Sequence, residues 1–477
     1  MSTRKSLVFS FLDRYASLAM SIVSSMVIAR LLTPAEIGVF SVTMVLLMFV
    51  SSVRDMGAGS YLLQERELTT ERIRAVWAVQ LGLGLALALL VLLASYPVAV
   101  FYQEPRMRDI MLVIALNYAV NPFGSLTYAW LMREMQFDSV ALMRFASALS
   151  GALVSTYLAW KGFGPISLAY GSLTATVVNA LLAMYYRPKS FPWMPGLTEL
   201  RRVLAFGVRL SFSDILGVIA GGAPELLIGK LQSLEAAGLY SRASGLVQMF
   251  GRLVVDAVGS VCLPWFSQQA REKDGFAEPF LRATAYVSVV GWFFCVMMVC
   301  LAHPIIRILY GSQWEQSVDP VRLLIVATAI GVPASLCKVA LMASGAVKLI
   351  VRLTLFNCVL TLPLLAIAAS RDLIAVSVAL IVTSAVVTSV TLRLTCRRIG
   401  LDVMTLWPIL FLSARVNLLA AIGPVLSVWL FGLAPGQSFL PLLFAGAIGL
   451  VGFLTGIFVF NHPLKEEFEA VWVKFRH

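Results

Sequence analysis

The chain has 477 residues, of which 59% are hydrophobic and only 13% are charged, and its mean hydropathy is +0.87. Soluble domains carry about a quarter charged residues, so this composition excludes a soluble globular protein and indicates a membrane protein that crosses the bilayer many times. The net charge of +12 is explained mostly by basic residues on the cytoplasmic side of the membrane, as shown below. No nucleic-acid partner is predicted.

Apolar stretches of about 20 residues, the length needed to cross a bilayer, recur along the entire chain. We therefore predict an all-α polytopic membrane protein with about 14 transmembrane helices. In chain order they span residues 7–32, 37–63, 75–102, 109–132, 137–160, 165–187, 203–230, 236–265, 281–303, 320–344, 351–370, 373–395, 406–432 and 438–460.

The connection between the first two helices occurs twice in the chain, at Ile28–Ser41 and, offset by 200 residues, at Ile228–Ser241. In the first copy Thr33 is predicted to cap the second helix, with Pro34 at its first position and Glu36 in its first turn. The identical pairs are Ile28/Ile228, Leu31/Leu231, Gly38/Gly238 and Ser41/Ser241. Two copies of one unit predict a chain built from two related halves.

The longest connection, Pro188–Arg202, separates the sixth helix from the seventh. We predict an N-terminal six-helix lobe at 1–187, a cytoplasmic inter-lobe loop at 188–202 and a second six-helix lobe at 203–399. Residues 400–477 would add two further transmembrane helices and a cytoplasmic tail.

Proline and glycine fall at corresponding places in the fourth and tenth helices, offset by about 210 residues. Because six helices separate these copies, an even number, the halves would be parallel repeats. Matching kinks in matching helices predict a pair of hinges, although an ordinary kink is the alternative. The predicted hinge residues are Pro122, Gly124, Gly331 and Pro333.

Lysine and arginine are unevenly shared between the two sides of the predicted topology. With the N-terminus in the cytoplasm, 21 of these residues lie on the cytoplasmic side and 8 on the opposite side. This bias follows the positive-inside rule. It places both termini in the cytoplasm and accounts for most of the net charge.

Eight basic and five acidic residues remain inside the predicted spans. Each costs about 2.5–3.5 kcal/mol at mid-membrane, so they must pair or face a hydrated cavity. Pairing between helices, or snorkelling near helix ends, is the alternative to a binding role. The surplus of bases favours a cavity for an anionic group such as phosphate or pyrophosphate. The candidate binding residues are Arg14, Arg54, Arg209, Arg252 and Lys338. The candidates for coupling to an ion are Asp55, Asp214, Glu225 and Asp256, although Asp256 lies four residues after Arg252 and could pair with it.

The chain carries no Walker loop, no HExxH and no GxSxG motif, so neither ATP hydrolysis nor soluble enzyme chemistry is predicted. Its six cysteines include no CxxC pair, and its three histidines lie far apart. Neither a metal site nor a cofactor is predicted.

Several motifs in the first eight predicted helices resemble the polysaccharide transporter family of the multidrug/oligosaccharidyl-lipid/polysaccharide exporter superfamily. They are Phe9–Tyr15, Ile28–Phe40, Asp55–Gly59 with Leu62–Gln64, Leu131–Phe137, Leu226–Lys230 and Gly238–Ser241. Glu225 and Lys230 stand where members of this family often carry an acidic and a basic residue.

The resemblance implies a flippase that moves undecaprenyl-pyrophosphate-linked oligosaccharide repeat units across the bacterial inner membrane for exopolysaccharide, capsule or O-antigen synthesis. It would work by alternating access through a central cationic cavity, driven by an ion gradient. Its partners would be the polyisoprenyl-pyrophosphate-linked oligosaccharide, membrane lipids and, further, a polysaccharide polymerase with its chain-length machinery.

Two alternatives remain at this point. A drug/cation antiporter of the same superfamily would need a cavity rich in acids, whereas bases outnumber acids here by 8 to 5. A membrane polysaccharide polymerase or ligase generally needs a large periplasmic loop, and the longest such segment predicted here is only Ile305–Asp319.

Overall fold

A computed structural model of the protein describes residues 19–54, 59, 61–62, 65, 68–189, 191–272, 276–432 and 440–469, and these ranges contain helices but no strands. Within them, 11 helices are long and apolar enough to cross a membrane. The predicted all-α membrane fold is therefore confirmed. The predicted number of 14 spans is not confirmed.

The chain divides into two compact units, unit 1 from Met1 to Gly238 and unit 2 from Leu239 to His477. The described helices of unit 1 are α1 (Ala19–Leu31), α2 (Pro34–Arg54), α3 (Thr70–Tyr102), α4 (Pro105–Arg133), α5 (Phe137–Trp160), α6 (Ile166–Tyr185) and α7 (Leu200–Leu231). Helix α8 (Leu234–Phe250) begins in unit 1 and ends in unit 2.

Unit 2 continues from α8 through a π-helical segment, Gly251–Val255, directly into the next helix. Its further described helices are α9 (Asp256–Glu272), α10 (Ala277–Leu309), α11 (Val318–Gly331), α12 (Cys337–Ala343), α13 (Val347–Ala369), α14 (Leu373–Ile399), α15 (Leu406–Ala420), α16 (Ile422–Phe431) and α17 (Leu440–Val459). Short 3-10 segments lie at Ser312–Ser317, Val332–Ala334 and Val403–Thr405.

Three predicted spans contain an irregular segment. The span 236–265 contains the π-helical segment, the span 320–344 breaks after Gly331, and the span 406–432 breaks at Ala421. A proline explains two of these breaks. Pro333 and Pro424 lack the N–H that would bond to the carbonyl four residues earlier, which interrupts the regular helix.

The predicted cap of α2 is confirmed in its details. The backbone N–H and the hydroxyl of Thr33 donate to Oε2 of Glu36 at 2.8 and 3.0 Å, and the N–H of Glu36 donates to Oγ1 of Thr33 at 3.3 Å. This reciprocal arrangement is a capping box. At the repeated position only half of it is present, because Oγ of Ser233 accepts from the N–H of Ala236 at 3.0 Å and alanine cannot reciprocate.

The two repeated connections meet backbone to backbone at their glycines, within unit 1. A Cβ atom on Gly38 would collide with the carbonyl oxygen of Leu234 and would lie 3.0 Å from the amide nitrogen of Gly238. A Cβ atom on Gly238 would collide with the carbonyl oxygen of Pro34 and would lie 2.9 Å from the amide nitrogen of Gly38. Each glycine therefore permits the approach of the other repeat.

The loop after α6 packs against the helices of unit 1. The indole N–H of Trp77 donates to the carbonyl oxygen of Trp193 at 3.0 Å. The Arg187 guanidinium lies 4.1 Å from the centre of the Trp193 ring and donates to the carbonyl oxygen of Pro192 at 2.8 Å. Phe191 is buried in the core formed by α3 and α4. The loop thus forms part of the folded unit.

The described part of the core of unit 2 includes two apolar clusters. Phe266, Phe280 and Cys337 are buried where α9, α10 and α12 meet. Val289 and Phe453 belong to a second cluster between α10, α15 and α17. These clusters align the long helix α10 with the helices on both of its sides.

The segment after α17 folds back onto unit 2 through His462, which is buried. The imidazole Nδ1 accepts the N–H of Leu464 at 3.2 Å, and Nε2 lies 3.1 Å from Oγ of Ser413 on α15. Because Nδ1 is an acceptor, the imidazole is neutral, and burial lowers its pKa to about 4. Neutral His462 therefore attaches this segment to α15.

Candidate functional site

The structure describes the nine charged candidate residues to different extents. Arg14 and Asp55 lie outside the described residues. The side chains of a further five lie outside the description, although their helices are described. These are Arg54 on α2, Arg209 and Asp214 on α7, Arg252 in the π-helical segment, and Asp256 at the start of α9. Only Glu225 and Lys338 are described in full. The predicted cationic cavity therefore stays a prediction.

The C-terminal half of α2, which ends at Arg54, is held against α4. The hydroxyl of Tyr118 on α4 donates to the carbonyl oxygen of Leu47 at 2.8 Å and lies 2.9 Å from Oγ of Ser51. Ser51 precedes Arg54 by three residues, less than one helical turn. A buried tyrosine thus fixes the part of α2 from which Arg54 projects.

Arg252 lies in the five-residue π-helical segment, and Asp256 is the first residue after it. The predicted pairing of these two residues assumed regular α-helical geometry, in which positions four apart share a face. A π-turn widens the helix and changes that register, so the backbone does not support the assumption. Such segments occur frequently at functional sites, and sequence periodicity does not reveal them.

Glu225 is half-buried on α7 and follows the buried Pro224. The end of this helix is attached to the end of α3. The ammonium of Lys230 donates to the carbonyl oxygen of Phe101 and lies 4.1 Å from the centre of its ring. The acidic and basic positions highlighted by the sequence motif thus lie on a helix end fixed within unit 1.

The two predicted hinges differ in structure. Helix α4 runs unbroken through Pro122, which is buried, and a Cβ on Gly124 would lie 2.8 Å from Nδ2 of Asn179 on α6. In unit 2, α11 ends at Gly331 and Pro333 lies in a 3-10 turn. Only the second position is a discontinuity in the helix, and hinge motion at either stays a prediction.

Lys338 lies on α12, immediately after this discontinuity, and its side chain is exposed. Its neighbour Cys337 is buried in the core of unit 2. The short helix therefore turns Cys337 towards the core and leaves the lysine exposed.

Sequence reasoning missed one group of charged residues near the C-terminal end of α10. His303 and Arg307 of α10 both face Glu315. Oε1 of Glu315 lies 3.9 Å from Nε2 of His303 and 3.4 Å from Nη1 of Arg307. The signal was the spacing of four residues between His303 and Arg307, which places both side chains on one helix face.

Comparison with known proteins assigns the chain to a family. The family model described as "polysaccharide biosynthesis protein" matches residues 27–319, more than half of the chain. The chain belongs to this family.

Relatives of this polysaccharide biosynthesis protein are named for transport and envelope polysaccharides. The chain is 26% identical to the succinoglycan biosynthesis transport protein ExoT of Rhizobium meliloti (strain 1021), over 69% of this chain and 66% of the relative. It is 20% identical to the lipopolysaccharide biosynthesis protein WzxC of Escherichia coli (strain K12), over 72% of this chain and 71% of the relative.

The fold of this polysaccharide biosynthesis protein is also that of known transporters. It resembles the lipid II flippase MurJ in an inward closed conformation with a TM-score of 0.78 and 14% identity, covering 97% of this chain and all of that one. It resembles an inward-facing multidrug resistance MATE transporter with a TM-score of 0.64 and 14% identity, covering 80% of this chain and 94% of that one. The chain therefore belongs to a polysaccharide biosynthesis family and has a fold that multi-pass membrane transporters share.

Proposed function

We propose that the protein is a flippase that moves polyisoprenyl-pyrophosphate-linked oligosaccharide repeat units across the bacterial inner membrane. The observation that carries this proposal is the family match over residues 27–319. The names of the relatives, which include succinoglycan and lipopolysaccharide biosynthesis, and the likeness in fold to a lipid II flippase support it.

In this proposal the cationic residues within the spans bind the pyrophosphate. Arg54, Arg209 and Arg252 supply guanidinium groups whose forks suit phosphate oxygens, and Arg14 and Lys338 add further positive charge. A desolvated cavity strengthens these contacts because the local dielectric constant is low. The lipid tail stays in the bilayer while the head group crosses.

Transport would proceed by alternating access, with the two repeats moving about the breaks or kinks at Pro122–Gly124 and Gly331–Pro333. A carboxylate among Asp55, Asp214, Glu225 and Asp256 would couple this movement to a proton or sodium ion. The excess of lysine and arginine on one side supports an orientation with both termini in the cytoplasm. A polymerase and its chain-length machinery would then receive the repeat units on the other side.

The experiment is complementation of a host strain whose own gene for this protein has been deleted. Arg54→Ala and Arg252→Ala variants are expected to lower glycan export at least about tenfold, since each removes a charge-assisted contact of the order of 1.5–3 kcal/mol. The lipid-linked repeat unit should accumulate in the membrane. A Lys161→Ala variant is the matched control, because Lys161 is an exposed cation in the turn after α5.

The anion-cavity mechanism would be overturned if every cavity variant exported glycan normally at equal protein levels. The variants to test are those of Arg14, Arg54, Arg209, Arg252 and Lys338. Normal glycan export by the deletion strain itself, combined with a gain of sensitivity to cationic drugs, would overturn the flippase assignment in favour of the antiporter.

A further inference from the structure

A second group of charged side chains, which includes none of the proposed cavity residues, lies where α10, the 3-10 segment Ser312–Ser317 and α11 meet in unit 2. His303 and Arg307 of α10 share the carboxylate of Glu315, as described above. On α11, Nη1 of Arg322 lies 3.3 Å from Oδ1 of Asp319, and Nε donates to the carbonyl oxygen of Val299 at 3.4 Å. We call these five side chains, His303, Arg307, Glu315, Asp319 and Arg322, the α10–α11 cluster.

The α10–α11 cluster has hydrogen-bonding capacity that its own carboxylates do not use. His303 is only 8% exposed, and its Nδ1 has no hydrogen-bond partner in the part of the chain that the structure describes. The same holds for the buried Nε of Arg307. Buried polar groups without partners are costly and rare in folded proteins. With Nε2 of His303 facing Glu315, Nδ1 of the neutral imidazole is an acceptor, whereas Nε of Arg307 is a donor. A ligand that carries both an acceptor and a hydroxyl donor, as a sugar acid does, would satisfy both.

The base of the α10–α11 cluster is rigid. Trp314, in the same 3-10 segment as Glu315, is completely buried. Its ring and that of Tyr310 lie 5.7 Å from the guanidinium carbon of Arg242 on α8. The hydroxyl of Ser317 donates to the carbonyl oxygen of Trp314 at 2.5 Å. The donors are therefore held in place before any ligand arrives, which lowers the entropic cost of binding.

The charges of the cluster favour a carboxylate as the ligand. Arginine presents paired N–H groups that match the two oxygens of a carboxylate or phosphate. Two guanidinium groups already face two carboxylates in the cluster, so little positive charge remains to neutralise a phosphate dianion. Glu315 and Asp319 are the accessible partners, with 41% and 69% of their side chains exposed. A ligand carboxylate arriving from outside can replace Glu315 at Arg307 and accept from the Nε–H of that arginine, while a hydroxyl of the same ligand can donate to Nδ1 of His303.

We infer that the α10–α11 cluster binds the carboxylate of an acidic sugar in the transported glycan. This inference rests on the proposed function for the identity of the glycan, and it assigns a subsite for the sugar that is separate from the residues proposed to bind pyrophosphate.

The test measures binding to the full-length protein in lipid nanodiscs by isothermal titration calorimetry. The probes are glucuronate, glucose and inorganic phosphate. Glucuronate is expected to bind at least about tenfold more tightly than glucose, since its carboxylate adds charge-assisted hydrogen bonds. Arg307→Gln should weaken glucuronate binding by at least about the same factor.

Glu315→Gln provides the sharper result, because it removes the carboxylate that competes for Arg307. Glucuronate should bind this variant more tightly than it binds the original protein, a gain that misfolding cannot produce. Arg307→Lys keeps the charge but loses the fork, and it should fall between the original protein and Arg307→Gln. Lys161→Gln, an exposed cation outside the cluster, should leave binding unchanged.

Equal binding of glucose and glucuronate, or weaker glucuronate binding by Glu315→Gln, would overturn the inference and identify the cluster as an ion-pair network. Tighter binding of phosphate than of glucuronate would overturn the carboxylate assignment. Since no arm of this test measures transport, these failures are distinct from failure of the flippase proposal. Normal export by the deletion strain, together with glucuronate binding lost in Arg307→Gln, would leave the site intact and remove only its assigned cargo.

Discussion

The indole Nε1 of Trp292 on α10 donates a hydrogen bond to the carbonyl oxygen of Ala329 on α11 at 2.9 Å. Ala329 precedes Pro333 by four residues, so its carbonyl is the one that a regular helix would have bonded to the missing N–H of the proline. A tryptophan from the neighbouring helix thus supplies the donor that the proline lacks. The break after Gly331 is thereby stabilised from outside α11.

This relationship predicts a coupled pair of substitutions. Trp292→Phe should lower stability by about 1–3 kcal/mol, because it leaves the partly buried carbonyl of Ala329 without a donor. In a Pro333→Ala background the restored N–H of residue 333 can bond to that carbonyl, so the same substitution should cost less. Unfolding of the four proteins in detergent, followed by fluorescence-detected size-exclusion chromatography after heating, measures the coupling.

If Trp292→Phe lowered stability equally in the original protein and in the Pro333→Ala variant, the indole ring would contribute only through packing. Trp160→Phe, at an exposed tryptophan on α5, is the matched control and should change stability little in either background.

The contact between Gly38 and Gly238 predicts that neither position tolerates a side chain. Gly38→Ala and Gly238→Ala should each lower stability by about 1–3 kcal/mol or more, since the added Cβ meets a backbone carbonyl that cannot rotate away. Thermal stability in detergent is the measurement.

Gly217→Ala on α7 gives the contrast, because no atom lies within 4 Å of the Cβ that it adds. There alanine should leave stability unchanged or raise it by up to about 1 kcal/mol through its higher helix propensity. If all three variants melted at the same temperature, the two backbones would have to be free to separate without cost.

The bonds between Trp77, Arg187 and Trp193 predict that the loop after α6 resists proteolysis. Lys189 is exposed in this loop, yet trypsin should cleave after it slowly while the loop is folded. Trp77→Phe removes the hydrogen bond to Trp193, worth about 1 kcal/mol, and should raise the cleavage rate about fivefold. Mass spectrometry of the fragments identifies the cut.

Rapid cleavage after Lys189 in the unaltered protein would contradict the ordered loop. Trp160→Phe serves again as a control, and it should not change the rate.

His462 predicts a loss of local stability as pH falls. Its pKa is about 4 in the folded protein and 6.5 when exposed, so below pH 6.5 the undocked segment binds a proton that the folded one does not. The free energy that holds 462–469 against unit 2 should therefore be complete above pH 6.5 and fall by about 1.4 kcal/mol per pH unit towards pH 4. Hydrogen exchange of the Leu464–Glu469 amides at pH 7 and pH 5, corrected for intrinsic rates, measures this loss.

His462→Asn removes the titrating group and retains an acceptor for the N–H of Leu464. Its exchange protection should be the same at both pH values. A pH dependence equal to that of the original protein would assign the effect to another group.

The sequence predicted those features that depend on neighbouring residues. The apolar runs established the membrane class, and the Thr33–Pro34–Glu36 pattern predicted a cap that the structure confirms. Both depend on local chemistry that a short stretch of sequence contains. The motifs placed the chain in the correct family for the same reason.

Features that depend on distant partners could not be predicted in this way. The repeat identified Gly38 and Gly238 as equivalent, but only the fold shows that they touch. Pro333 indicated a kink, whereas its compensating donor, Trp292, lies 41 residues earlier and has no sequence signature. The π-helical segment at Gly251–Val255 likewise has no periodic signal, and the cavity residues around it stay predictions.

The seventh helix makes the assembly of unit 1 depend on the order of synthesis. Helix α7 contacts α2 closely, since a Cβ on Gly222 would lie 2.5 Å from Cγ1 of Val45 and one on Gly229 would lie 2.8 Å from Cγ2 of Val42. During synthesis, α2 enters the membrane while the ribosome still has well over a hundred residues to translate before α7 leaves the exit tunnel. A nascent chain of six helices must therefore keep one face of α2 shielded by lipid or by the insertion machinery until α7 arrives.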